Sequence, residues 1–201
     1  MAPERNNKNK IYSLFPDGFL ILLFVIPGLT WLWNVGDIAS YFMYTNLDGQ
    51  FIYVLSKLTG LYAMMFIWLQ LLLGLLKTQI SHHYGDVSSK VHSRLGIITL
   101  VLVILHVALF VTAVSLRNDQ IAWGLLVPKI FQGYYALMLT VGLGALIVLL
   151  VSVLSRGVLA KVKNSIKLWM HRLVLIAFYM ILLHSYAIGT ESRIGVMNIV
   201  Y

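Results

Sequence analysis

There is no cysteine among the 201 residues, and only 11% of them carry a charged side chain. The first absence excludes disulfides, iron–sulfur clusters and thiolate ligation of a metal, leaving histidine and methionine as strong ligands. The second, set beside 60% hydrophobic residues and a mean hydropathy of +0.85, excludes a soluble fold and predicts an all-α integral membrane protein. Also missing are a low-complexity tract, a repeat of fold-defining period and a glycine-rich turn of the kind that binds dinucleotides after a strand. A net charge of +8 would suggest nucleic acid only if the basic residues formed one face of a soluble module. They lie instead in short segments between apolar runs, so no nucleic-acid partner is expected, and lipid is the partner the composition implies.

The long apolar runs cover residues 18–33, 58–76, 95–116, 130–154 and 173–189. With their flanks they predict five spans at 18–36, 54–76, 94–116, 130–154 and 168–189, each near the ~20 residues that cross a bilayer as a helix. The whole of 1–201 reads as one membrane domain. Pro27-Gly28 inside the first run predicts a kink or a break there. The polar N-terminal residues are not followed by a small-residue cleavage site, so a retained helix is expected rather than a removed signal. The segment 193–200 resembles the opening of a sixth helix but is too short to cross.

Charges between the runs give an orientation. Eleven basic residues fall on one side: Arg5, Lys8, Lys10, Lys77, Lys90, Arg94, Arg156, Lys161, Lys163, Lys167 and Arg172. Four fall on the other: Lys57, Arg117, Lys129 and Arg193. By the positive-inside tendency the N-terminus is cytoplasmic, in what reads as a bacterial inner (plasma) membrane, and spans three and five run in the same direction.

Those two spans carry the chemistry. His92 and His106 are 14 residues apart in span three, and His171 and His184 are 13 apart in span five. At about 1.5 Å of rise per residue these separations reach roughly 20 Å, much of a hydrocarbon core about 30 Å thick. In parallel spans His92 therefore faces His171 at one depth and His106 faces His184 at the other. Ionisable groups inside a membrane are costly and mark function, and neutral imidazole is a good ligand for haem iron, so the pattern predicts two bis-histidine haems. The angular test is mixed. At about 100° per residue His106 lies only about 40° from His92, whereas His184 lies about 140° from His171, which requires tilt, a winding defect or ligands on different flanks of span five.

Arg94 and Arg172 stand beside the two cytoplasmic-side histidines and could hold haem propionates through paired hydrogen bonds; the plainer reading is that both anchor helix ends at the interface. Thr59-Gly60-Leu61-Tyr62-Ala63, His92-Ser93-Arg94-Leu95-Gly96 through Leu105-His106, Gln132-Gly133 through Ser152-Val153-Leu154-Ser155, and Trp169-Met170-His171-Arg172 through His184 together resemble the ferric reductase-like transmembrane domain family over about residues 55–190. That family includes ferric reductases, the membrane part of NADPH oxidases and the haem subunit of bacterial methionine sulfoxide reductase. The resemblance implies two b-type haems (haem b) on His92/His171 and His106/His184 that relay electrons outward from a cytoplasmic flavoprotein, with ferric iron, oxygen or a periplasmic reductase as acceptor. The chain is thereby expected to be an oxidoreductase or its haem-binding electron-transfer subunit. The single-haem subunits of this family usually lack the first histidine of span three; its presence here favours two haems. FAD or FMN and NAD(P)H are expected only on a separate partner, and a quinol is the other donor.

Plainer readings stand beside these. A membrane histidine more often bonds a neighbouring helix than a metal, and histidines in a haem-free transporter or structural subunit can form a proton path. His82-His83 reads as a solvated pair in a loop. Trp31, Trp33, Tyr41, Trp123, Tyr134 and Tyr135 read as interfacial belt residues, and Gly142 and Gly144 as permitting close helix packing.

Overall fold

The computed structural model describes residues 17–38, 49–76, 86–158 and 164–190. It is a bundle of five α-helices, with no strand among the described residues: α1 Asp17–Val35, α2 Gln50–Leu75, α3 Asp86–Asn118, α4 Tyr134–Val158 and α5 Asn164–Ile188. A 3₁₀ turn, Trp123–Leu126, interrupts the α3–α4 connection. Four segments are long and apolar enough to cross a membrane: Gln50–Leu75, Lys90–Asn118, Tyr134–Leu154 and Leu168–Ile188. The chain is accordingly an integral membrane protein. Its outward side chains agree, since Val101, Ile104, Ile147 and Leu175 are exposed, as lipid contact permits and water would penalise.

Helices α2 and α3 start several residues before the expected spans, at Gln50 rather than 54 and at Asp86 rather than 94. Hydropathy marks where apolar side chains begin. Backbone hydrogen bonding continues through the polar turns beyond, which hydropathy does not register. His82, His83, Tyr41, the basic N-terminal residues and the segment 193–200 lie outside the described residues.

The bundle is two antiparallel hairpins. α2 packs along α3, α4 packs along α5, the two hairpins meet less extensively, and α1 leans on α2. Small residues let the helices approach: Ala113, Ala145, Ala177 and Ser152 are fully buried. At the start of α2, Gly49 has φ +77, and a Cβ there would lie 2.5 Å from the Ala113 carbonyl oxygen, so both its backbone conformation and the contact with α3 call for glycine. Between the hairpins, Met64 and Ile67 of α2 bury Phe178 of α5, and the Trp68 ring meets Phe178 edge-on at 5.3 Å.

Helix α1 continues through Pro27, so the break expected there does not occur. Proline offers no N–H to the preceding turn. The carbonyl that loses its donor is that of Leu23, and at the next one α2 grips the same turn: the Tyr62 hydroxyl donates to the Phe24 carbonyl at 3.0 Å. A side chain at Gly28 would crowd that hydroxyl, its Cβ falling 3.1 Å away. One turn further on, Trp31 Nε1–H donates to the Val54 carbonyl at 2.7 Å. Trp31 is therefore a buried link between helices, not the belt residue its position suggested.

Candidate cofactor site

His106 and His184 are held by one device used twice. His106 Nδ1 lies 2.6 Å from the Ser56 carbonyl oxygen of α2, and His184 Nδ1 lies 2.7 Å from the Met138 carbonyl oxygen of α4. A carbonyl oxygen only accepts, so in each ring Nδ1 carries the proton and Nε2 keeps its lone pair. Four residues after each acceptor stands a glycine, Gly60 after Ser56 and Gly142 after Met138. In an α-helix the side chain at i+4 flanks the carbonyl of residue i, so a glycine at that position opens the carbonyl to a partner from the side. The contacts bear this out. A Cβ on Gly60 would lie 3.0 Å from His106 Nδ1, and one on Gly142 would lie 2.6 Å from His184 Nδ1.

Both imidazoles line a single cavity between α2, α3, α4, α5 and the 3₁₀ turn, part of it open to the surroundings. The wall is largely apolar, with Leu61, Met64, Val103, Phe110, Leu143 and Ile181 among its members. Its polar members besides the histidines include Tyr53, Ser56, Lys57, Tyr135 and Ser185. Lys57 is the one Lys, Arg, Asp or Glu among the described residues that line it.

His92 and His171 form a second pair, their ring centroids 5.9 Å apart and their planes at 81°. All four histidines thus meet as the spacing predicted, His92 with His171 and His106 in one cavity with His184. The angular mismatch in span five resolves without a winding defect. α5 is regular α-helix throughout Asn164–Ile188, so the two rings leave on different flanks, His171 toward α3 and His184 toward α4. Arg94 is exposed; Arg172 is exposed and stacks over the Trp169 ring at 5.4 Å, as an interfacial anchor does.

Among the described residues no group of three or more His, Cys, Asp or Glu side chains is placed to hold a metal ion. Trp33, Trp123, Tyr134 and Tyr135 are exposed, as belt residues should be, and Tyr135 also lines the cavity. Gly144 does serve helix packing, its Cβ position facing Met180 of α5, while the neighbour of Gly142 is the His184 ring. Sequence reasoning missed Ser56, Gly60, Met138 and Lys57 as parts of the site. The two acceptors are main-chain atoms and leave no side-chain signature; only a glycine one turn inside each partner helix could have signalled them. Compared with models of known protein families, with curated proteins and with solved structures, the chain shows no significant match to any.

Proposed function

We propose that this protein is a membrane haem protein of the ferric reductase-like kind, transferring single electrons across the bilayer with His106/His184 and His92/His171 as axial ligand pairs. The observation that carries the reading is the repeated hydrogen bond from Nδ1 to a main-chain carbonyl, opened by glycine, at both histidines of one large apolar cavity. A ligating histidine commonly donates its other ring nitrogen to such an acceptor, which fixes the tautomer, orients the ring and makes the ligand more basic.

The donor set fits haem better than a bare ion. Structural and catalytic zinc sites take three or four protein ligands, whereas these histidines come in twos, the number an iron needs when a macrocycle supplies the rest. Bound haem supplies reversible one-electron redox chemistry. The chain contributes the ligands, the carbonyls behind them and an apolar wall that excludes water.

In this reading the positive-inside tendency of the loop charges supports entry near His92 and His171 on the cytoplasmic side, where a flavin reductase or a quinol would donate, and exit near His106 and His184 on the outside, where ferric iron, oxygen or a periplasmic reductase would accept. A single-haem subunit serving a periplasmic reductase is the second reading. It is favoured by the contrast between the large cavity at His106/His184 and the direct ring contact of His92 with His171. Haem stoichiometry of the purified protein tests both: two per chain with low-spin bis-histidine spectra supports the first, one per chain supports the second, and a colourless protein after expression with ample haem refutes both.

A further inference from the structure

The cavity wall contains a charge that the histidines do not account for. We propose that Lys57 is the carboxylate anchor of the cavity, receiving the acidic groups of the cofactor held by His106 and His184 and turning them toward the N-terminal end of α2. This rests on the haem reading above and adds an orientation to it.

Three observations support the assignment. Lys57 lies three residues before Gly60, about 4.5 Å of helix rise from the point where the His106 ring packs. Its backbone is thus about one turn of α2 from the level of the proposed ligand. The ammonium is also held in place at the cavity. Nζ donates to Thr190 Oγ1, just past the end of α5, at 2.8 Å, and lies 4.9 Å from the centre of the Tyr53 ring. Arg117 lies over that same ring at 4.8 Å, adding positive potential beside the cavity. A lysine that only extended its ammonium into water would not tie α2 to the residue just past α5, although this bond is itself exposed.

The third observation is the wall itself. Carboxylates placed among apolar side chains are costly without a cation and hydrogen-bond donors to receive them. Among the described residues lining this cavity the cation is Lys57, and the hydroxyl-bearing Tyr53, Tyr135 and Ser185 line the same space. Neither Arg94 nor Arg172, the residues whose sequence positions suggested propionate binding, lines it.

The test is a chemical double-mutant cycle on the purified full-length protein. Haem and its dimethyl ester, which has the same iron and ring but no carboxylates, are titrated by absorbance into the wild type, Lys57→Met and Lys57→Arg. The affinity is read on the binding phase that His184→Ala removes. The wild type should prefer free-acid haem by about tenfold or more, the range of a charge-assisted hydrogen bond. Lys57→Met should abolish that preference by weakening the free acid alone, and Lys57→Arg should retain it. Unchanged ester affinity in Lys57→Met shows that the fold has survived. A full preference in Lys57→Met overturns the anchor, as does equal weakening of both forms, which would mean that Lys57 only ties α2 to Thr190. The absence of a histidine-ligated spectrum with either form in the wild type overturns the haem reading and the anchor with it.

Discussion

Replacing Gly142 by alanine should displace His184 while leaving the fold nearly unchanged. Ordinary contact begins at 3.4 Å, and the new Cβ would stand 2.6 Å from His184 Nδ1, so the ring must retreat by about 0.8 Å. Adding that to the 2.7 Å bond to the Met138 carbonyl gives about 3.5 Å, beyond useful hydrogen-bond range. Gly60→Ala is the internal control. Its Cβ would stand 3.0 Å from His106 Nδ1, requiring a retreat of about 0.4 Å, and the 2.6 Å bond to Ser56 would stretch only to about 3.0 Å. On stability, losing the buried hydrogen bond costs about 1–3 kcal/mol, offset by about 1 kcal/mol gained from alanine over glycine inside a helix. The melting temperature should therefore move little. Ligand affinity should respond far more, because loss of an orienting partner behind a metal-bound histidine typically costs ~10–100-fold. Haem titration with absorption spectra checks this: Gly142→Ala should bind more weakly and lose bis-histidine character, and Gly60→Ala should remain close to wild type. Wild-type binding by Gly142→Ala, or a larger defect in Gly60→Ala, would refute the reasoning.

Single histidine replacements should sort by pair. His106→Ala and His184→Ala should remove the same spectral component while His92→Ala and His171→Ala spare it, and different components lost from His106→Ala and His184→Ala would break the pairing. Tyr62→Phe removes the hydrogen bond to the Phe24 carbonyl and should lower unfolding stability by about 0.6–1.5 kcal/mol without altering any haem spectrum. In sealed vesicles of known orientation, reduction by a flavin reductase should occur only from the cytoplasmic face and weaken as salt is raised, because the basic loops steer an acidic donor. Equal reduction from both faces would overturn the direction.

The helical architecture and the meeting of the histidines were legible because both rest on periodicities that side chains display. The 14-residue and 13-residue separations, combined with the parallel course of α3 and α5, already placed His92 beside His171 and His106 beside His184. What holds two of those rings was not legible, since the Ser56 and Met138 carbonyls belong to the main chain and would be there with any residue. Trp31 looked like a belt residue because composition cannot tell whether an indole turns to the headgroups or to a neighbouring helix. The Val54 carbonyl decided the matter. Pro27 was read as a kink or a break from local propensity alone, which does not show that α2 grips the turn before it through the Tyr62 hydroxyl, 35 positions on. Lys57 was counted as one of four charges on its side, a count that assigns a residue to a side but not to a cavity wall.

The two-hairpin construction has a consequence for assembly. Each histidine pair draws one ring from α2–α3 and the other from α4–α5, so a cofactor held by both rings, as proposed, would clasp halves that otherwise meet along a narrow seam. Loading and closure would then be one equilibrium. A ligand at 100 times its dissociation constant would contribute about 2.7 kcal/mol to holding the halves together. The empty protein should consequently come apart along that seam first, each hairpin keeping its helices in the membrane while the cavity between them opens and admits its occupant sideways.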